Sequence, residues 1–470
     1  MKKKILAALL SAAMIISSQS GVLAAGAKKA DDAGSVKTYT LTKTENPEVS
    51  KAIRKMQSEL SGKTDKDKEF KVYDKDDVVR VSIILNQKST ISKYSTKDIA
   101  QNSRAMKYRD SLRAEQTAVI KKVEKALGGK KLDVVWNLTL AANIVSANVA
   151  YGDIKSIEAV DGVESVIMER RYEPAVTETT KAGPEMATSG EMIGSQTAWA
   201  DGYTGAGSRI AIIDTGIDDD HQSFDSGAFN YALEENAEAA GLTAEEYKAG
   251  LDLLDEAEIK SAIRKLNVYS IDQSITAADL FRDDKIAFGY NYVTQDLDIT
   301  HEHDGASEHG SHVAGIAAAN KYIPSGDSYA NALETCKVQG VAPDAQLLVM
   351  KVFGNAADGS TYSDGAYDSD YMAAIEDALI LGADSINLSL GSSAPGFEKE
   401  YKYDYADILD SLTKSDTVVS ISQGNNASIG DNSYLGAAYS DDNSFNTGGS
   451  PGSYTNSLAV ASVDNTGFTG

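Results

Sequence analysis

The sequence predicts a two-part α/β protein: a small α+β unit is followed by a larger domain whose parallel sheet carries helices on both faces. Residues 78–170 show strand-like and helix-like patterns in the order β-α-β-β-α-β, which suits one small sheet with two helices. Beyond residue 192, the apolar runs are short and nearly continuous, and helical stretches lie between several of them. Such runs are typical of parallel strands that are buried on both faces.

Apolar periodicity defines the elements of the small unit. Strands are predicted over residues 78–85, within 132–150 and over 163–170, and helices over 104–127 and 154–160. Gly128 and Gly129 stand where the long helix must stop, because glycine readily adopts the left-handed conformation that ends helices.

Five short apolar runs in the larger domain are predicted to be strands. They cover residues 209–213, 346–353, 384–390, 417–422 and 458–463, and helices are predicted over 369–381 and 406–414. An acidic insert, residues 231–284, interrupts this arrangement. Thr243 and Glu246 form a capping-box pattern ahead of a helix predicted over 244–254. We interpret the insert as a solvated decoration of the surface.

Composition and charge exclude several classes of function. With 470 residues, 42% of them hydrophobic, the chain is too long for a peptide hormone and too apolar to be largely disordered. Its 69 acidic residues exceed its 45 basic residues and give a net charge of −24. Nucleic-acid binding would have to overcome this overall field, so no nucleic-acid partner is predicted.

The N-terminal region has the pattern of an exported protein. Residues 1–27 combine three lysines, an apolar run over 5–16 and small residues near position 25, which is typical of a signal peptide. No segment is long and apolar enough to be a transmembrane helix. The lone Cys336 cannot form an internal disulfide, and we interpret it as a small buried hydrophobic residue.

The predicted domain organisation follows from these patterns. It comprises a signal peptide over 1–27, a polar leader over 28–77, the small unit over 78–174, a linker over 175–191 and the larger domain over 192–470.

Three motifs at predicted strand ends or helix starts carry the chemistry. Asp214 closes a buried strand in I-I-D-T-G-I-D, and ligand or catalytic groups collect at such strand ends. His309 begins the helix H-G-S-H-V-A-G, where a carboxylate offsets the tendency of the helix dipole to disfavour an imidazolium. Asn425, in Q-G-N-N, follows another apolar strand and could donate to a developing oxyanion.

Together, in the order Asp, His, Asn, the motifs resemble those of the subtilisin-like serine proteases, the subtilases. The resemblance covers roughly residues 192–470 and includes the segments G-V-A-P-D-A at 340–345 and N-L-S-L-G at 387–391. It implies a subtilisin-like parallel-sheet sandwich. The segments 285–292, 449–452 and 459–462 look most like those of the cell-envelope proteinases, the lactocepin and C5a-peptidase group. The preceding unit is similar to the family's ferredoxin-like propeptide.

The resemblance implies a role for each motif. Asp214 would orient His309, His309 would act as the general base, and Asn425 would be the oxyanion donor. His312 is excluded as the base because the family motif uses the first histidine of the pair. The implied reaction is the hydrolysis of peptide bonds in protein or peptide substrates.

The resemblance also implies where the substrate and other partners would bind. Ser389, Leu390 and Gly391 would pair with the substrate backbone as an added strand, and Gln423 and Gly424 would border the substrate. The small unit would inhibit the enzyme as its own propeptide. No cofactor is needed for the chemistry. Subtilases often bind structural calcium, but the sequence identifies no ligand set for it.

The serine nucleophile of the family is missing from the 470 residues. In subtilases it lies in a G-T-S-M-A segment that opens a helix after the strand predicted here over 458–463, and no such segment occurs. We therefore expect a chain truncated before its nucleophile and inactive by itself. We expect it to be secreted, and cell-envelope association of the Gram-positive bacterial type would follow if further sequence carried an anchor.

Two other hydrolase classes, the α/β-hydrolases and the zinc hydrolases, fit the residues poorly. Ser450 lies in a G-x-S-x-G pattern, but no histidine follows it, whereas an α/β-hydrolase places its histidine after the serine. Four histidines and two acids are clustered, but they do not form H-E-x-x-H, the zinc-hydrolase pattern. They are His301, His303, Asp304, Glu308, His309 and His312. The alternative that stays open is a noncatalytic peptide-binding module, in which the small unit occupies the cleft of a degenerate protease.

Overall fold

The computed structural model contains a small antiparallel sheet, a large parallel sheet and a buried helix that contacts both. It describes residues 73–94, 99–174, 186–301, 308–354, 366–391, 412, 416–424, 451–452 and 458–461. These residues belong to one compact unit that spans positions 72–470. The helix predicted over 406–414 lies almost wholly outside the described residues.

The N-terminal unit is a four-stranded antiparallel sheet with two helices. Its elements are β1 (Val78–Leu85), α1 (Ser103–Ala126), β2 (Asp133–Leu138), β3 (Ile144–Ala150), α2 (Ile154–Glu158) and β4 (Val163–Met168). The strand order is β2-β3-β1-β4, and every neighbouring pair is antiparallel. The chain therefore follows the predicted β-α-β-β-α-β order.

Helix α1 has a defined start and end. The Asn102 side chain caps it by accepting hydrogen bonds from the backbone N–H groups of Arg104 and Ala105, both at 3.2 Å. The helix ends at Ala126, and Gly128 follows with a φ of 72°, a conformation that suits glycine. The stop predicted at Gly128 is thus confirmed.

The two faces of the small sheet have different partners. Side chains alternate along a strand, so Val81 and Ile83 point to one face, where they pack with Val119 and Val123 of α1. Arg80 points to the other face, where it contacts a helix of the larger domain. The unit therefore uses one face for its own core and one for docking.

Within the described residues, the large sheet has six parallel strands in the order β15-β14-β12-β6-β10-β7. They are β6 (Arg209–Asp214), β7 (Ile286–Asn291), β10 (Gln346–Lys351), β12 (Ser385–Leu388), β14 (Val418–Ser422) and β15 (Leu458–Val460). The five predicted strands are present with slightly different ends, and β7 was not predicted. The position of β6 inside the sheet places Asp214 at its carboxyl rim.

The described residues contain further strands and helices. The other strands are β5 (Arg171–Pro174), β8 (Tyr322–Ser325), β9 (Ser328–Asn331), β11 (Ala366–Tyr367) and β13 (Leu390–Gly391). The helices are α3 (Met186–Ile193), α4 (Ser195–Ala200), α5 (Ser226–Ala240), α6 (Ala244–Ala249), α7 (Glu256–Ala262), α8 (Asn267–Ile271), α9 (Ala277–Leu280), α10 (His309–Ala318), α11 (Ala332–Thr335) and α12 (Asp368–Ile380).

Helix α12 is the structural link between the two sheets. Each of its thirteen residues is buried, including Asp368, Asp370, Glu376 and Asp377. A helix that is enclosed on all sides must have packing partners on all sides. One hydrophobic cluster joins its Tyr371 to strands of both the small and the large sheet.

Two expectations about local structure are corrected. The helix predicted over 244–254 ends at Ala249, where Gly250 is the C-cap and disfavours further helix. Further on, the backbone of Leu254 exchanges hydrogen bonds with the Gln346 side chain. The linker predicted over 175–191 contains the start of helix α3, whose first residue is Met186.

Candidate active site

The candidate site begins at the end of strand β6. This strand is hydrogen-bonded on one side to β10 and on the other to β12. Asp214 is therefore the last residue of an interior strand. Asp214 is buried, with 1% of its surface exposed. The Thr215 N–H donates a 2.7 Å hydrogen bond to Asp214 Oδ1 and thereby fixes the carboxylate.

The structure brings His309 to this carboxylate across 95 residues of sequence. His309 is the first residue of α10, is 4% exposed, and its Nδ1 donates to Asp214 Oδ1 at 2.7 Å. Within the described residues, the second oxygen, Asp214 Oδ2, is buried without a hydrogen-bond partner.

This geometry fixes how the imidazole can act. Because an ionised carboxylate only accepts hydrogen bonds, the Asp214 contact holds a proton on Nδ1 of His309 and leaves Nε2 as an acceptor. Among the described residues, no serine hydroxyl hydrogen-bonds to the His309 ring. An oriented imidazole with one unprotonated nitrogen can serve as a general base.

Two hydrogen bonds that sequence reasoning did not predict hold helix α10 against the end of β6. Thr215 Oγ1 accepts a 2.8 Å hydrogen bond from the Gly310 N–H, and Ser311 Oγ accepts one of 2.8 Å from the Asp218 N–H. A Cβ atom on Gly310 would overlap the carbonyl oxygen of Gly216. The glycines that follow Asp-Thr and His were the available signal, since close backbone approach excludes any side chain.

The segment predicted to bind substrate already has a strand beside it. Strand β13, Leu390–Gly391, pairs antiparallel with β5 of the same chain, with Leu390 opposite Pro174 and Gly391 opposite Glu173. On its other side, β5 pairs with β11. Segment Arg171–Pro174 is therefore the middle strand of a three-stranded sheet.

The residues near the third motif are only partly described. Gln423 continues from β14, and its N–H donates to the Val460 carbonyl at 2.8 Å, while Gly424 has a φ of 95°. Ser389 lies directly before β13 and is half-buried. Asn425 lies outside the described residues, so its predicted oxyanion role stays a prediction.

The other histidines that the structure describes, His221, His301 and His312, do not hydrogen-bond to Asp214 or His309. His312 is exposed. His301, for which a solvated loop position is the default interpretation, lies in a bend with 20% of its side chain exposed, and its Nε2 lies 3.9 Å from Glu308 Oε1. His221 caps a short helical turn by accepting from the Ser223 N–H. His303 and Ser450 lie outside the described residues.

Two further observations concern metals and thiols. In the described part of the chain, no group of three or more His, Cys, Asp or Glu side chains could hold a metal ion. Structural calcium therefore stays an expectation from the family resemblance. Cys336 is half-buried rather than buried, because it lies at the end of α11, where its Sγ donates to the Ala332 carbonyl at 3.2 Å.

Comparison with known proteins decides the family. The sequence profile described as Subtilase family, Peptidase_S8, matches residues 205–468. This chain belongs to the subtilase family. The match includes the segments that carry Asp214, His309 and Asn425.

Several curated relatives are similar to this subtilase. A PII-type proteinase of Lacticaseibacillus paracasei is 28% identical over 362 residues, which are 75% of this chain and 16% of the relative. The minor extracellular protease Vpr of Bacillus subtilis (strain 168) is 24% identical over 321 residues, 67% of this chain and 30% of the relative. A C5a peptidase of Streptococcus pyogenes serotype M3 is 28% identical over 268 residues, 55% of this chain and 18% of the relative.

The subtilase thus spans about a sixth of the length of the first of these relatives. A solved structure, the epidermin leader peptide processing serine protease of Staphylococcus aureus, matches with a TM-score of 0.43 and 16% identity over 83% of this chain and 70% of that chain. Among the described residues, no helix has the length and apolar character to cross a membrane.

Proposed function

We propose that this subtilase is part of a secreted serine endopeptidase that is synthesised as a zymogen. The observation that carries the proposal is the 2.7 Å contact between His309 Nδ1 and Asp214 Oδ1 at the carboxyl rim of the parallel sheet. The family match supports serine-type peptidase chemistry. Secretion is supported by the signal-like pattern over residues 1–27 and by the relative named as extracellular.

The proposed reaction is acyl transfer through a serine. The serine oxygen bonds to the carbonyl carbon of the substrate while its proton passes to Nε2 of His309, and Asp214 stabilises the imidazolium. Asn425 donates to the resulting oxyanion. The C–N bond then breaks, and His309 returns the proton to the leaving amine. Water attacks the acyl-enzyme by the same proton path and releases the second product.

We propose that the serine comes from sequence that the 470 residues do not contain. The basis is the absence of a G-T-S-M-A segment. The 470-residue chain would then keep the orienting carboxylate and the base but would form no acyl-enzyme.

The zymogen proposal rests on strand β5. This segment follows the small unit and pairs with Leu390–Gly391, the strand proposed to receive the substrate backbone. An extended substrate would need the same edge of β13, so the two cannot bind together. The small unit, residues 78–174, would act as an inhibitory propeptide until the chain is cut after it.

A serine-directed fluorophosphonate probe tests this function. The 470-residue chain should remain unlabelled, while the longer gene product should be labelled at the serine of a downstream G-T-S-M-A segment. The matched variant His309→Gln of the longer product should lose the labelling, because the serine then has no base.

The same labelling results distinguish the proposed peptidase from the competing function, a noncatalytic peptide-binding module. Labelling of any serine in the 470-residue chain would overturn the proposal that the nucleophile lies outside it. A longer product that carries no such segment and takes up no probe would favour the noncatalytic module. The occupied strand position beside β13 is the observation that favours this second reading.

A further inference from the structure

Part of the acidic insert is buried against the N-terminal unit, although the sequence predicted a solvated decoration. Residues 231–284 carry 13 acidic and five basic side chains. Within them, Leu266 and Val268 are 0% exposed and Asn267 is 1% exposed. Leu266 and Val268 share a hydrophobic cluster with Trp136 and Leu138 of the small sheet.

Arg109 of helix α1 is the polar contact at the centre of this junction. The residue is 1% exposed, so its guanidinium must find its hydrogen-bond partners within the protein. Nη1 donates to the Lys265 carbonyl at 2.6 Å, and Nη2 donates to Asn267 Oδ1 at 3.3 Å. Both acceptors belong to the insert. Nη2 also pairs with Glu376 of α12 at 3.1 Å.

Helix α12 holds the insert in position for Arg109. Asp377 accepts hydrogen bonds from the N–H groups of Asn267 and Val268, at 2.6 and 3.3 Å, and so caps the start of α8. The Asn267 side chain in turn donates to Glu376 at 3.1 Å. The acceptors for Arg109 are therefore fixed by contacts inside the larger domain.

A second arginine reaches the same carbonyl. Arg113, one turn further along α1, donates to the Lys265 carbonyl at 3.4 Å. Burial and the neighbouring Arg109 lower the pKa of Arg113 to about 10, so it remains charged at neutral pH. Two guanidinium groups thus share one backbone carbonyl of the insert, while the acids of the larger domain that act on their charge, Glu376 and Asp377, belong to α12.

We propose that the acidic insert is a recognition surface for the chain's own N-terminal unit, with Arg109 as the anchor that keeps this unit bound after the connecting segment is cut. The inference rests on the proposed zymogen function, in which residues 78–174 are separated from the rest by cleavage. The insert would make docking selective, because a unit without an arginine at this point would leave Glu376 without its cationic partner and Asn267 Oδ1 without its donor.

The test measures retention of the unit in the 470-residue chain. A recognition site for a sequence-specific protease replaces residues 177–182, which lie outside the described residues, and the chain is cut there. Gel filtration and the dissociation rate report whether residues 78–174 stay bound. Arg109→Met should raise the dissociation rate by about 30-fold or more, since it removes one partner of a buried charged pair.

A double-mutant cycle shows whether the insert is responsible. Arg109 and Asn267 contact each other, so the effects of Arg109→Met and Asn267→Ser should not be independent. The dissociation rate of the double variant should rise much less than the product of the two single increases. The matched control is Arg80→Met, which removes an ion pair with Asp370 of α12 but no insert contact. The dissociation rate of the double variant Arg80→Met and Asn267→Ser should rise by the product of the two single increases.

Three results would overturn the proposal. They are independent effects of Arg109→Met and Asn267→Ser, immediate release of the unit from the unaltered cut chain, and unchanged retention in Arg109→Met. If Arg109→Met does not fold, Arg109→Lys is used with amide exchange in the uncut chain. The Leu140 and Ala141 N–H groups, which Glu376 holds at 2.7 and 2.8 Å, should then exchange faster.

Retention is read by size and not by peptidase activity. A unit that stays bound through the insert but does not inhibit the longer product would refute the zymogen function and leave the recognition surface standing. A unit that inhibits but shows no Arg109–Asn267 coupling would support the zymogen function and refute the recognition surface.

Discussion

Two buried carboxylates of this subtilase differ in how completely they are hydrogen-bonded. Glu376 accepts from the Leu140 and Ala141 N–H groups and from Arg109, so both of its oxygens have partners. Asp214 has its Oδ1 bound by Thr215 and His309, whereas its buried Oδ2 has no partner among the described residues. Glu376 thus joins two parts of the protein, while Asp214 keeps capacity for charge that develops on His309.

This difference indicates what each region contributes. A buried charge is costly unless hydrogen bonds and an opposite charge compensate it. At Glu376 the compensation is nearly complete, so we expect its truncation to lower stability. At Asp214 it is incomplete, so we expect substitutions there to change the reaction more than the fold.

Replacement of Asp214 by Asn gives the largest expected effect. In a chain that carries the nucleophile, Asp214→Asn should lower kcat by about 10⁴-fold, because the amide can no longer hold the required His309 tautomer. Steady-state kinetics on a peptide substrate checks this. Urea unfolding of the 470-residue variant should show little loss of stability. A large loss would contradict the contrast with Glu376.

Truncation of Glu376 is expected to have the largest effect on stability. Glu376→Ala leaves Arg109 buried without its anionic partner, so the free energy of unfolding should fall by about 3–5 kcal/mol. Urea denaturation measures this change. The control is Glu158→Ala, at an exposed helix residue, which should change stability by no more than about 0.5 kcal/mol. Equal effects of the two would remove the special role of the α12 acids.

Two glycines of helix α10 should respond in opposite directions. Gly310→Ala places a Cβ against the Gly216 carbonyl and should lower the free energy of unfolding by about 1–3 kcal/mol. Gly315→Ala, in the same helix but with open space at its Cβ, should raise it by about 0.5–1 kcal/mol. Thermal unfolding compares them. If both stabilised the chain, helix α10 would not lie so close to the end of β6.

The acids of α12 should make stability depend on pH. Burial raises the pKa of Asp370 to about 6, against the opposing effect of Arg80, and the pKa of Asp377 to about 7. Both values exceed the usual 3.8. Between pH 3.8 and each raised pKa, the folded chain therefore binds more protons than the unfolded chain. Their contribution therefore lowers stability as the pH rises from about 4 to 7 and then becomes constant.

Asp370→Asn isolates one part of this dependence. Urea unfolding at pH 4.5, 6 and 7.5 should show that the variant gains stability relative to the unaltered chain as the pH rises to 6. The Asn side chain can still accept the hydrogen bond that Trp136 Nε1 donates to Asp370 at 2.8 Å. A constant difference between the two chains over this range would mean that Asp370 is ionised throughout.

Local sequence patterns predicted the framework of the fold well. The small-unit strands and helix α1 have strong apolar periodicity, β6 and β10 are short continuous apolar runs, and their positions agree with the structure to within a few residues. Strand β5 was missed because it has only four residues and gains its pairing from β11 and β13, about 200 residues later in the chain. No local pattern encodes such a partner.

The candidate site was predictable where motifs lie at element ends. Asp214 and His309 lie together as their motifs implied, because the strand end and the helix start both reach the carboxyl rim of the sheet. The burial of Asp370, Glu376 and Asp377 was not predictable, since acids on a helix normally face solvent. Their burial depends on tertiary partners in the small unit and the insert.

The position of α12 also has a consequence for synthesis on the ribosome. Arg80 and Asp370 form an ion pair although 290 positions separate them. Translation must add about 200 residues after β4 before α12 emerges, which takes roughly 10–40 s. During this interval, the face of the nascent small sheet that bears Trp136 has no cover from its final partner. A transient binder, such as a holdase chaperone, would have its best opportunity there.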